Sequence, residues 1–323
     1  MNFHLKKKLF IKVAACTFFI CSIVWPPAVA DVGLSSKVFN DYWYSGKAEV
    51  TRYKLLQVRY GQHHEGDTVL IFVTEHMLPA LQVKYEHGPK PKNLTSILKL
   101  NKTSKFETGI YPYSTMTSIF SPIGLSAKNR SLKLTQSTQE WCGQQFMQLN
   151  LRGDSFAVSS RSYFQDLADS DLKIRATFLE DEIFTQIRLA PSQLPLGEID
   201  IIPGAQYAQL FHKPMQPYRA TATYIPAGNH HDAAIKTRCY QVTYKELPRI
   251  FTVTFAAHFP YGIIKWEEKQ QTAQKDERGN FMWMSSTATR THEVRTDYWR
   301  HHHQKDAPLR LQLGLPLRKG ASQ

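Results

Sequence analysis

Two cysteines, a run of three acids and a hydroxyl-rich segment are the residues of this 323-residue chain whose types and spacing could do chemistry. Cys142 stands in "STQEWCGQQFMQLNLR", residues 137–152. A thioredoxin-type redox centre built on Trp-Cys-Gly needs its second cysteine at position 145, and that residue is Gln145. A papain-type nucleophile sits at a helix start, where the dipole favours the thiolate. Cys142 falls in a stretch that alternates like a strand. Strand parity sets Trp141, Gln145, Met147, Leu149 and Leu151 on one face. The other face carries Cys142, Gln144, Phe146, Gln148, Asn150 and Arg152. The same test in "TRCYQVTYK" groups Cys239 with Thr237, Gln241 and Thr243. Two cysteines on polar faces, in a compartment where thiols pair, make Cys142 and Cys239 a disulfide candidate. A buried free thiol is the alternative.

Glu180, Asp181 and Glu182 open a segment with Leu179, Ile183 and Ile187 at four-residue steps, so a helix is expected there. Acids in a first turn suit the helix dipole, and this explains them without catalysis. The hydroxyl-rich run "IYPYSTMTSIF" gathers Tyr111, Tyr113, Thr115 and Thr117 on one strand face. Aromatic rings beside hydroxyls suit a glycan or a lipid headgroup, and cross-strand Tyr–Thr pairs of an ordinary sheet explain the face equally well. The ligand-binding candidates are therefore Tyr111, Tyr113 and Thr115, together with Gln144, Gln148, Asn150 and Arg152. Histidines occur in adjacent pairs and a triplet in loop-like segments, which is not ligand spacing, so no metal and no cofactor are expected.

The elements that must position these groups are mostly strands. "KAEVTRYKLLQVRYG" and "DTVLIFVTEHM" read as a pair joined by the polar loop "GQHHEGD". The continuously apolar 69–73 predicts a strand covered on both faces. About a dozen strand-like runs with short turns predict a mainly β fold. The expected architecture is a large antiparallel meander curled into a half-barrel or barrel, with one packed α-helix. Residues 31–299 read as one β-rich domain, with a split near 190–215 as the alternative, and 300–323 as a poorly ordered tail.

Residues 1–30 read as a signal peptide: Lys6 to Lys8, an apolar run, then Ala28 and Ala30 ahead of the cleavage point. Retention of this segment as an anchor is the other reading. Its removal takes four lysines and no acid, so the formal charge falls from +13 to +9. The expected address is exported, periplasmic or envelope-associated. A moderately basic chain there can work near anionic surfaces. Scattered cations and an export signal exclude nucleic acid as a partner.

Four stretches, "YWYSGKAEVTRYKL", "GIYPYSTMTS", "QEWCGQQFMQLNLRG" and "LEDEIFTQIRLAPSQLPLGEIDIIPG", together resemble a family of bacterial envelope proteins, often lipoproteins, labelled "septum formation inhibitor Maf". The likeness spans much of 42–204. It implies an envelope location and assigns no catalytic residue. The Ser-x-Ser-Pro-Arg-Arg signature of the Maf nucleotide pyrophosphatases is absent, since Ser121-Pro122 continues as Ile-Gly. No good lipobox precedes Cys16 or Cys21. The expected function is a non-catalytic binding protein for a lipid, a glycan or an envelope partner. The alternatives are a secreted hydrolase using Cys142 or the Glu180–Glu182 cluster, and a purely structural envelope scaffold.

Overall fold

The computed structural model describes residues 36–124, 130–226 and 235–317. The segment 1–30, expected to be a signal peptide, and the pair His230-His231 lie outside the described residues. A short helix α1 (Ser36–Trp43) leads into β1 (Ala48–Arg59) and β2 (Gln62–Leu78). After the two-residue β3 (Val83–Lys84), a meander runs through β4 (Thr95–Thr108), β5 (Tyr111–Pro122), β6 (Lys133–Glu140), β7 (Gly143–Arg152), β8 (Ser155–Ser162) and β9 (Ser170–Arg175). The chain then forms β10 (Phe178–Leu179), α2 (Glu182–Leu189), β11 (Gly197–Ile202) and α3 (Ala205–Leu210). A second meander follows: β12 (Tyr218–Ile225), β13 (Thr237–Tyr244), β14 (Arg249–Ala256), β15 (Ile263–Lys275) and β16 (Phe281–Thr296).

Pairing of β16 with β1 joins the two meanders, so sixteen described strands make one sheet. All its pairs are antiparallel except β10–β11. The mainly β architecture read from alternation is therefore the one observed. The ladder does not close. Its two edges, β9 and β10, are nevertheless consecutive in the chain, with only residues 176–177 between them. Arg175 of the edge strand β9 reaches Asp200 of β11, the strand beside the other edge, at 2.5 Å. The sheet is rolled, with a seam.

The roll encloses α2. The sequence suggested a helix laid on the sheet by one apolar stripe, but all eight residues of α2 are buried, polar ones included. Leu179, expected in the helix, belongs to β10. Phe184 packs edge-on against Trp266 of β15 and tilts against Phe251 of β14. Thr185 Oγ1 meets Ser121 Oγ of β5 at 2.7 Å. Arg188 lies over the rings of Trp43 and Phe72 and pairs with Glu49 of β1. A helix surrounded on every side must satisfy each polar group internally.

Two sequence details resolve differently. The expected loop "GQHHEGD" is a two-residue turn, Tyr60-Gly61, with both residues at positive φ (52° and 71°), the conformation that matches strand twist. His63 and His64 continue the ladder opposite Val58 and Gln57. Within the tail expected to pack poorly, Gln304–Leu313 forms a 3₁₀ helix, and Arg52 Nη1 donates to the Gly314 carbonyl after it at 2.7 Å. Its Leu313 covers Val50, Val69, Ile71 and Val73 on the outer face. That explains the continuous apolar run of β2: Leu70 and Phe72 face the core, and their neighbours face the C-terminal segment.

Candidate functional site

The predicted site residues divide between the two faces of the sheet. Thr115, Thr138 and Gln145 are register partners across β5, β6 and β7, and all three are buried on the inner face. Gln144, Gln148, Asn150 and Arg152 alternate with the inner residues and lie on the outer face. Tyr113 and Thr115 are therefore not brought together with the outer amides. The parity reading of β7 holds, but one proposed face becomes two.

Cys142 and Cys239 are both free thiols, so the proposed disulfide is absent. The physical reason is the sheet path: β7 and β13 are separated by eight intervening strands. Cys142 is exposed in the β6–β7 turn, and its backbone N–H donates to Glu140 at 2.7 Å. A side-chain hydrogen bond to Glu140, and the charge of that carboxylate, push the Cys142 thiol up. That is the opposite of what a nucleophile needs. Trp141, placed by parity on the packed face, is 69% exposed, because the turn takes it out of the strand. Cys239 is buried beside Thr254, at 3.6 Å.

The three acids are also not solvated first-turn groups. Glu180 accepts from Arg249 through two bonds and from the Tyr244 hydroxyl at 2.8 Å. Asp181 accepts the Ala205 backbone N–H at 2.9 Å, and Glu182 accepts that of Ser131 at 2.8 Å. Burial raises both Glu180 and Glu182 to about 7. These carboxylates tie β10, α2 and α3 to the wall of the roll. Engaged by Arg249, Tyr244, Ala205 and Ser131, they read as structural.

A different cluster forms at one end of the roll. Turn Tyr60-Gly61, the start of β5, the β6–β7 turn and the end of α3 converge there. Tyr60 and Tyr113 hydroxyls are 2.8 Å apart, and the Tyr111 hydroxyl donates to that of Tyr60 at 3.2 Å. Arg59 Nε and Nη2 each reach the Tyr113 hydroxyl at 3.4 Å. Its Nη1 donates to the Leu210 carbonyl, which fixes the guanidinium against α3. The guanidinium lies over the Tyr60 ring, 4.4 Å from its centroid. Tyr113 stacks flat on Phe106, with centroids 4.9 Å apart and planes 4° apart. Outside this row, Trp141 tilts against Tyr111 at 6.3 Å. Burial raises Tyr60 and the bond to Tyr60 raises Tyr111, so both phenols stay donors at neutral pH.

Behind this cluster the inner face stays polar. Thr115 follows Tyr113 by two residues, about 7 Å along the strand. Thr138 donates to Gln209 Oε1 of α3 at 2.7 Å, and Gln136 Nε2 reaches Thr138 at 3.3 Å. Among the described residues, Thr115 Oγ1, Gln145 Oε1, Gln206 Oε1 and Gln209 Nε2 are buried without a hydrogen-bond partner. Each such atom costs about 1–3 kcal/mol unless something completes it. Four in one neighbourhood leave this interior short of hydrogen-bond partners. Of the residues picked out in the sequence, Tyr111, Tyr113 and Thr115 stand on this face; Arg59, Tyr60, Gln206 and Gln209, which reach it from distant elements, were not among them.

No family model, no curated protein and no solved structure matches the chain.

Proposed function

We propose that the chain is a non-catalytic binding protein of the bacterial cell envelope that takes a sugar or a lipid headgroup at the mouth formed by Arg59, Tyr60, Tyr111, Tyr113 and Trp141. The observation that carries this reading is the linked phenol–guanidinium row standing in front of four buried, unpaired hydroxyl and amide atoms. A guanidinium and three phenols offer donors to a sugar hydroxyl or a phosphate oxygen, and exposed Trp141 offers a ring face for stacking. The order of features in residues 1–30 and the resemblance to an envelope family support an exported address. The hydrolase reading receives no such support. Its thiol is pushed up by Glu140, and its acids are engaged by Arg249, Ala205 and Ser131.

Native mass spectrometry of the chain recovered from the envelope fraction tests this directly. A bound sugar or lipid is expected, with Trp141 fluorescence responding to the same compound in titration. Tyr113→Phe combined with Trp141→Ala is expected to abolish binding while the far-ultraviolet spectrum stays unchanged. Recovery of the ligand-free chain, or undiminished binding by the double variant, sinks the reading.

A further inference from the structure

The outer face carries a second, separate feature. Residues 79–85, with β3 among them, turn back onto β2 and reach β6 and β7 through Gln82. A cavity of about 230 Å³ lies there, with Met77, Val83, Ile97, Phe120 and Lys133 in its lining. This is smaller than a drug-sized pocket, so it fits a short ligand or one end of a long one.

The charges around this cavity do not balance. Lys99, Phe120, Lys133 and Asn150 are neighbours across the outer ladder. Glu75 is taken by Lys99 at 2.7 Å and by Lys84 at 3.9 Å. Lys133 Nζ reaches only a carbonyl, that of Gln82, at 3.3 Å. Arg152 Nη1 likewise reaches only the Leu151 carbonyl, at 3.3 Å. Among the described residues no carboxylate pairs with either cation. Burial and the Arg152 guanidinium both push the Lys133 ammonium down, the sign of a cation short of a counter-charge.

The surroundings hold these groups in place. Gln82 is buried at φ +54°, in the left-handed region a glutamine rarely occupies. Its amide donates to the Leu151 carbonyl at 2.8 Å and accepts from Asn150, which in turn accepts from Gln148 at 2.6 Å. The strained residue thus fixes an amide chain alongside the two cations.

We propose that this outer cavity binds an amphiphilic anion, an oxyacid head against Lys133 and Arg152 with its apolar tail on Met77, Ile97 and Phe120. The site lies on the opposite face from the mouth and does not rest on the reading given for it. Titration calorimetry of the full chain with octanoate and octyl phosphate tests it, and the tighter of the two identifies the head as carboxylate or phosphate. Octanol keeps the tail without the charge, and inorganic phosphate keeps the charge without the tail.

Both controls are expected to bind at least about tenfold more weakly than the better anion, the worth of one charge-assisted contact. Lys133→Gln and Arg152→Gln are each expected to weaken that anion by about tenfold or more. Lys133→Arg retains it, and Lys54→Gln on a distant strand leaves it unchanged. Octanol binding as tightly as the anions, no binding of either anion, or anion binding indifferent to Lys133→Gln and Arg152→Gln overturns the proposal. If Tyr113→Phe abolishes anion binding and Lys133→Gln does not, the anion sits at the mouth, and this proposal fails while that reading stands.

Discussion

Arg249 grips Glu180 with both arms of its guanidinium, Nη1 to Oε2 at 2.5 Å and Nη2 to Oε1 at 2.9 Å, with both side chains buried. The same Nη2 reaches Glu268 at 2.8 Å. One cation on β14 thus serves carboxylates on either side of it. Arg249→Leu leaves both without it and is expected to cost about 3–5 kcal/mol. Replacing Glu180 by Leu as well is expected to recover part of that loss. Urea unfolding midpoints measure both. A single variant within about 1 kcal/mol of the parent contradicts the argument.

Gly204 faces the same carboxylate. A Cβ there would meet Glu180 Oε1 at 2.6 Å, closer than real Cβ contacts come. Gly204→Ala is therefore expected to push Glu180 off Arg249 and cost about 1–3 kcal/mol. Thermal unfolding reads the effect. Combined with Arg249→Leu, the two losses should fall short of their sum, because they act on one contact.

Glu182 predicts a pH dependence. Its folded pKa, about 7, is above its ordinary 4.5 because burial disfavours the charge. Folding therefore favours the protonated form. The stability this contributes is complete below pH 4.5 and is lost as pH rises through 7. A shift of that size is worth about 3 kcal/mol. Glu182→Gln keeps an acceptor for the Ser131 N–H and cannot ionise. Its unfolding free energy is expected to stay flatter than the parent's between pH 5 and 8 and to exceed it at pH 8. Parallel profiles for the two proteins refute this.

The two thiols should separate in reactivity. Cys142 is exposed and Cys239 is buried. A thiol-specific reagent added to the native protein without its first 30 residues is expected to modify one site quickly and the second only on unfolding. The quick reaction should rise with pH above the usual thiol range, since Glu140 pushes Cys142 up. A chain with no titratable thiol before reduction would restore the disulfide.

The sheet was legible in the sequence because strand alternation is local: each residue of "QEWCGQQFMQLNLR" from Gly143 onward takes the face its parity assigns. The helix segment was legible as a helix, but its surroundings were not. Leu179, Ile183 and Ile187 show an apolar stripe, yet nothing local says that a wall also covers Glu182, Thr185, Gln186 and Arg188. Their partners, Ser131 just ahead of β6, Ser121 of β5 and Glu49 of β1, are placed beside them only by the roll. The site was half legible for the same reason. Tyr111, Tyr113 and Thr115 form a pattern within one strand. Arg59 and Gln209 join them through tertiary contacts between elements about 150 and 70 residues apart in sequence, and such contacts leave no periodic trace. Cys142 misled because a tight turn interrupts the alternation at Trp141.

The seam between β9 and β10 bears on how the wall gets its size. A closed barrel has its bore fixed by strand number and stagger. This wall is a split ring, and across the gap stands Arg175–Asp200, an exposed ion pair worth about 0–1 kcal/mol. Closure therefore does not set its girth. The gauge is the object it is wound around: α2 acts as a mandrel, and its bulkiest groups, Phe184 and Arg188, hold strands of both meanders at their distance. Trimming those two side chains would let the ring tighten, whereas in a closed barrel the same change would leave a hole.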